Sequence, residues 1–348
     1  AGGDHLRTVA TGVRDPGERP RRPGKSSGPE RGESGGLNPP PVASGEDADE
    51  IIEEARRSSA SRRELSADPI FDDVSPDLGE LDETALADAL DDDADAALSL
   101  LAEMTRATDA GLRELARSLA ARLFLDLARQ EPADAPGIGK IVALPYRPDR
   151  GDLDIDGSLD ALVHASAERR AIEPDDLVVR AWAKPATAWC LVVDRSGSMY
   201  GAPLATAALS AAAVAARAEG EYAVLSFARE VVAPKAMWEV RSVDDVIDRT
   251  LALRGHGTTD VAGALLAANE QLRASSAPRQ VAILLSDCRS TEPGDVLGAA
   301  RTLDELVVIA PEGDSDDAAE LADSVGARWT TVDGPSSIVG AIARVLER

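Results

Sequence analysis

Three short polar clusters interrupt the apolar runs in the C-terminal half of this chain, and most of their side chains carry oxygen donors. Asp194-Arg195-Ser196-Gly197-Ser198-Met199 follows the run Trp189–Val193. Gly255-His256-Gly257-Thr258-Thr259-Asp260 precedes a helical stretch that begins at Val261, and Ser286-Asp287-Cys288 follows the run Val281–Leu285. One carboxylate from each of two strands, with hydroxyls from two loops, makes a hard, oxygen-only donor set. Such a set suits Mg²⁺, with Mn²⁺ as the alternative, in octahedral geometry with water completing the shell. Gly197 allows the tight turn that would aim the hydroxyls of Ser196 and Ser198 at one spot. Pro203 suits the first turn of the helix that follows.

The elements that must position these groups are legible as an alternation. Apolar strands are expected at Trp189–Val193, Tyr222–Phe227, Val281–Leu285, Leu306–Ala310 and Trp329–Val332, with a short edge strand near Val231–Pro234. Helical stretches fall between them at 204–217, 243–251, 261–272, 295–301, 316–324 and 336–346. Continuously apolar strands separated by helices imply a mostly parallel sheet covered on both faces. The expected fold is therefore a doubly wound α/β domain over 186–348, with its ligand site at the carboxyl ends of the strands.

The N-terminal half is different in kind. Residues 1–41 hold seven Pro and nine Gly, and residues 41–100 carry 19 Asp or Glu against four Arg. Too few apolar groups are present to offset the ordering entropy, so residues 1–82 are expected to be disordered, first Pro/Gly-rich and then acidic. The acidic part could also serve as a docking segment for a basic partner. Leu112, Leu115, Leu119, Leu123 and Leu127 recur at helical spacing, and Leu86, Leu90, Leu98 and Leu101 suggest an earlier helix. A helical hairpin is expected over 83–130, its apolar stripe serving as packing surface. Residues 131–185 read as a Pro/Gly-punctuated linker with one short helix at 157–168 and one strand at 177–182.

The polar clusters resemble the metal-ion-dependent adhesion site of von Willebrand factor A (VWA) domains. The resemblance covers about residues 186–348 and rests on Asp194-x-Ser196-x-Ser198, then Thr259, then Asp287. It implies a divalent metal held by the two serines and often the threonine, with the two aspartates acting directly or through water. It also implies an open coordination position filled by an Asp or Glu of a partner protein. Thr259 is preferred over Thr258 because an Asp and then a helix follow it. Cys288 departs from the family, which usually has Gly after the last Asp. Both Cys190 and Cys288 are read as small apolar side chains in a reducing compartment, His256 as a loop histidine facing solvent, and the four tryptophans as core or strand-edge packing.

Composition and missing motifs exclude other functions. A formal net charge of −25 opposes nucleic-acid binding. No apolar run reaches the roughly 18 residues of a membrane span, no signal-type segment stands at the start, and the expected location is the cytoplasm. Phosphoaspartate chemistry would want a late lysine, but none follows Lys235, and position 196 is Ser where dehalogenases have Asp. A serine hydrolase would want G-x-S-x-G and a late histidine, and none follows His256. Gly137-Ile138-Gly139-Lys140 lacks the spacing of a phosphate loop, and no dinucleotide fingerprint follows a strand. The expected role is non-catalytic. Within the VWA family the chain looks like the intracellular bacterial branch, whose members work with MoxR-type AAA+ ATPases, as do CoxE-like maturation proteins and the D subunit of magnesium chelatase. That resemblance implies an adaptor for such an ATPase and its client in remodelling, maturation or metal insertion. The alternatives are a stand-alone adhesion or scaffold module and a D-type chelatase subunit.

Overall fold

The computed structural model describes residues 38–130, 140–146, 152–183, 186–196, 201–218, 221–253, 255 and 257–346. The chain begins with β1 (Val42–Ala43), α1 (Glu46–Arg56), α2 (Arg62–Leu65), α3 (Phe71–Val74), α4 (Glu83–Asp92), α5 (Ala94–Met104) and α6 (Ala110–Gln130). A middle segment holds β2 (Lys140–Pro145), β3 (Asp152–Leu153), α7 (Ile155–Glu168) and β4 (Val178–Ala183). The alternating part follows as β5 (Thr187–Asp194), α8 (Ala202–Arg217), β6 (Tyr222–Phe227), β7 (Val231–Lys235), α9 (Val243–Ala252) and α10 (Val261–Arg273). It continues with β8 (Arg279–Leu285), α11 (Val296–Ala300), β9 (Glu305–Pro311), α12 (Asp316–Val325), β10 (Arg328–Val332) and α13 (Ile338–Leu346).

Seven strands form the main sheet in the order β1-β7-β6-β5-β8-β9-β10. All pairs are parallel except β6 with β7. The order reverses at β5, whose neighbours β6 and β8 lead away on opposite sides, and in doubly wound sheets the carboxyl ends at such a point are where ligands bind. Strand alternation divides the core. Trp189, Leu191 and Val193 of β5 join the cluster under α8 and α13. Cys190 and Val192 join the cluster with α10, α11 and α12 on the other face. This is the doubly wound α/β architecture the apolar pattern predicts.

Helix α8 is buried on all sides, from Leu204 through Ala215. A helix that is apolar all round needs cover on every side, and α5 and α6 pack on its outer face as a third layer. The small Ala side chains of α8 allow that close approach. The region expected to be a two-helix hairpin over 83–130 thus contains three helices, α4 to α6.

Two expectations require correction. Residues 42–82, expected to be disordered, carry β1 and α1–α3; the part of that expectation on 1–37 lies outside the described residues. Most charges of this segment are exposed, while Ala48, Ile52, Leu65, Phe71 and Val74 are buried against folded neighbours. A few well-placed anchors outweigh an acidic average composition once a surface exists to receive them. Arg56 of α1 and Arg117 of α6 both meet Asp248 of α9, which fastens the added layer by charge as well. β1 also covers β7, so the strand expected at the edge is internal.

The second correction concerns 131–185. Strands β2, β4 and β3 form a separate antiparallel sheet carrying α7, rather than a linker with one strand. The tetrapeptide at 137–140 lies outside the described residues except for Lys140. Among the described residues no helix is long and apolar enough to cross a membrane.

Candidate metal-binding edge at the sheet switch point

Asp194 is the last residue of β5, and Asp287 lies two residues beyond the end of β8. The two strands are hydrogen-bonded neighbours with Val193 opposite Leu285, so their carboxyl-end loops emerge side by side. Thr259 stands immediately before the N-cap of α10, where Asp260 accepts from Gly263 N at 2.8 Å. Ser196 follows β5 by two residues. The structure therefore brings Asp194, Ser196, Thr259 and Asp287 to one edge of the sheet. Ser198, like His256, lies outside the described residues.

The loops lock to one another through a hydrogen-bond net. Ser196 N donates to Asp194 Oδ1 at 2.8 Å, folding the first loop back on its own carboxylate. Ser286 Oγ donates to Asp194 Oδ2 at 2.6 Å, and Cys288 N donates to Ser286 Oγ at 2.9 Å. Ser286 thereby joins the loop after β5 to the loop after β8. Thr259 N donates to Thr291 Oγ1 at 2.8 Å, while Thr259 O accepts from the backbone of Thr291 and Glu292. Thr258 Oγ1 donates to Glu292 at 2.6 Å. Arg195 N and Asp260 N reach Phe227 O and Ala228 O, which ties two of the loops to the end of β6.

The electrostatics favour a cation. Asp194 and Asp287 are both half-buried. Burial raises the pKa of Asp287 above the usual carboxylate range, and the charges of Asp194 and Asp314 add to that rise. The guanidinium of Arg289 is engaged with Asp314 and Asp317, although Arg289 N donates to Asp287 Oδ1 at 3.0 Å. Carboxylates that repel one another in a partly desolvated place gain from a bound cation. The donors are oxygen, as a hard metal requires. Among the described residues no three His, Cys, Asp or Glu side chains converge into a metal cluster. The arrangement is instead a carboxylate pair set among hydroxyls.

Cys288 occupies the left-handed region at φ 65°. That conformation favours Gly, which gives a physical reason for the glycine usual in VWA domains and shows that this chain tolerates a side chain there. Burial pushes its thiol up to about 12, with Asp287 and Asp194 contributing. Cys190 is fully buried in the core and its thiol is also raised by burial. Trp189 is buried and Trp329 sits on the edge strand β10, whereas Trp238 is 61% exposed and contributes little to packing. The side chain of Trp182 lies outside the described residues.

Reasoning from sequence alone assigned no role to two residues at this edge. Ser286 was visible beside Asp287, and its position one residue past a strand end was the available signal. Glu103 had none. It belongs to α5, yet its Oε1 accepts from Gly201 N at 2.7 Å, where the first loop enters α8. Gly201 itself sits at φ 58° and provides no side-chain cap, so a carboxylate 98 residues earlier in the chain takes that place.

Solved structures with similar folds come from several sources. BatB from Bacteroides thetaiotaomicron is 15% identical, with 46% of this chain and 97% of that one covered at a TM-score of 0.36. Manganese-loaded TRAP protein from Plasmodium vivax is 17% identical, covering 45% of this chain and 72% of its own at a TM-score of 0.34. A von Willebrand factor type A structure from Catenulispora acidiphila is 14% identical, covering 48% and 43% at a TM-score of 0.36. No curated protein matches the chain. The family described as VWA domain containing CoxE-like protein matches residues 138–312, a span that runs from β2 through β9 and includes all three polar loops. That span is just over half of the chain, which therefore belongs to the VWA domain containing CoxE-like family.

Proposed function

We propose that this chain is a metal-dependent protein-binding adaptor without a reaction of its own. The observation that carries the reading is the pair of half-buried carboxylates, Asp194 at the end of β5 and Asp287 just past the end of its neighbour β8, with Ser286 hydrogen-bonding the first and Arg289 N the second. Asp194, Ser196, Ser198, Thr259 and Asp287 would hold Mg²⁺, with Mn²⁺ as the alternative. The metal, when bound, offers positive charge and an exchangeable coordination position to an Asp or Glu of a partner. The chain's own part is to present its oxygen donors in a fixed arrangement. Ser286 orients Asp194, and the 290–292 loop clamps the backbone of Thr259.

The partner proposed is a MoxR-type AAA+ ATPase together with its client. Two facts support this choice: the CoxE-like membership, and a sequence that carries no phosphate-binding loop of its own. The adaptor would couple the ATPase to remodelling, maturation or metal insertion in the client.

Calorimetric titration of Mg²⁺ and Mn²⁺ into the full chain tests the site, using wild type, Asp194→Ala and Asp287→Ala. Wild type should bind one ion, and each variant should lose binding while keeping its circular dichroism. Retained binding in both variants would refute the site. Capture from host lysate with Mg²⁺, with EDTA and with the Asp194→Ala bait tests the partner. An AAA+ ATPase recovered only by the wild-type bait with Mg²⁺ supports the adaptor. Recovery of the same proteins in all three arms would refute it.

A further inference from the structure

Helix α7 carries an apolar stripe that is left exposed among the described residues. Ile155, Leu159 and Val163 are 65%, 52% and 57% exposed. Their four-residue spacing places them on one face of the helix. Leu153, two residues before the helix begins, is 50% exposed. A different face of α7 is pinned to the small sheet. Ser158 and Ala165 are buried, and Val178 N donates to Ser158 Oγ at 2.8 Å. The N-cap Asp154 accepts from Gly157 N and from Arg180, which fixes the start of the helix and therefore the direction in which the stripe faces.

The border of the stripe is acidic. Asp156 and Asp160 follow Ile155 and Leu159 by one residue each, both exposed, and Asp152 precedes Leu153. α7 contains no Lys or Arg. The nearby arginines Arg170 and Arg180 are engaged with Asp176 and Asp154, and Arg169 lies at the C-cap, beyond the stretch that holds Asp152, Asp156 and Asp160. An apolar stripe beside a row of carboxylates is complementary to a helix with leucine-type anchors and a row of Lys or Arg.

We propose that α7 docks a basic amphipathic helix of a partner protein. A second copy of this chain fits poorly, because two acidic borders would face each other on molecules that already carry a formal charge of −25. An anionic membrane surface would repel the same border. The chain's own first 36 residues offer only Leu6, Val9 and Val13 as large apolar groups, interrupted by Gly12. The surface is separate from the metal-binding edge and acts without a divalent ion.

Fluorescence anisotropy on the full chain tests this, with a labelled Leu/Lys peptide of about 18 residues patterned as an amphipathic helix. The controls are the same composition scrambled, and a peptide of residues 4–15 of this chain. Wild type should bind the patterned peptide at least about tenfold tighter than the scrambled one, equally in Mg²⁺ and in EDTA. Leu159→Ser with Val163→Ser should weaken binding by about tenfold or more, since each docked aliphatic side chain contributes about that factor. Asp156→Asn with Asp160→Asn should weaken it and flatten its salt dependence. All four positions are exposed, so the variants should keep the wild-type thermal midpoint. Equal binding of the two Leu/Lys peptides, or no effect of the Leu159/Val163 pair, would overturn the proposal. So would binding of the 4–15 peptide as tightly as the patterned one, or a dimer in sedimentation that the Leu159/Val163 pair abolishes.

Discussion

Ser286→Ala probes the net that holds the candidate edge together. Its hydroxyl donates to Asp194 Oδ2 at 2.6 Å and accepts from Cys288 N at 2.9 Å, so one substitution removes two bonds. A hydrogen bond to a charged acceptor contributes about 1.5–3 kcal/mol, and Asp194 is only half-buried, which places this one near the lower limit. The amide of Cys288, in a buried residue at positive φ, is left without that acceptor at a further cost of about 1 kcal/mol. Because alanine adds no bulk and water can reach the half-exposed carboxylate, the net expected loss is about 2 kcal/mol. In a protein of 348 residues that corresponds to a thermal midpoint lower by about 3 °C. A carboxylate no longer held by its neighbour should also bind Mg²⁺ about 10- to 100-fold more weakly, the usual cost of losing a group that orients a ligand. Urea denaturation and Mg²⁺ titration of the same preparation give both quantities. A loss below about 0.5 kcal/mol together with unchanged Mg²⁺ affinity would show that Ser286 neither braces the fold nor positions Asp194.

Other outcomes follow from specific contacts. Glu103→Gln replaces a charged acceptor at the N-terminal end of α8 with a neutral one, and urea denaturation should show a loss of about 0.5–1 kcal/mol. Gly201→Ala places a side chain at φ 58° and should cost about 1–2 kcal/mol in the same assay. Burial lowers the pKa of Lys235 from its usual 10.5 to about 8, so between those values the unfolded chain holds a proton the folded one has released. Stability should therefore rise as the pH climbs from about 8 to 10.5, by at most about 3 kcal/mol. Urea midpoints for wild type against Lys235→Met should show this rise only in the wild type.

Much of the main sheet was legible because a strand covered on both faces needs apolar residues at every position, and Trp189–Val193, Val281–Leu285 and Leu306–Ala310 leave little else to infer. The polar residues that end two of those runs were legible for the complementary reason. A carboxylate at the end of a buried strand has no place in the core, and in a doubly wound sheet it lies at the carboxyl edge. The three-stranded sheet at 140–183 was not legible, because its short strands are separated by Pro and Gly and pair across long gaps. The order in the acidic segment was not legible because average composition conceals Ile52 and Phe71, each buried and each followed directly by a carboxylate.

The sequence by itself determined the alternation of strands and helices, the face each strand residue takes and the set of oxygen donors at the strand ends. These follow from the period of the chain and the solubility of each side chain, both local properties. Only the tertiary structure decided that β1 pairs with β7, that α5 and α6 complete the burial of α8, and that Glu103 caps the loop leading into it. The third layer also sends Asp95 of α5 to accept from Ser336 N at 2.7 Å, across 241 residues. Such contacts depend on which surfaces meet after the sheet has formed. A carboxylate that accepts a distant backbone amide is, in the sequence, the same as one that faces water.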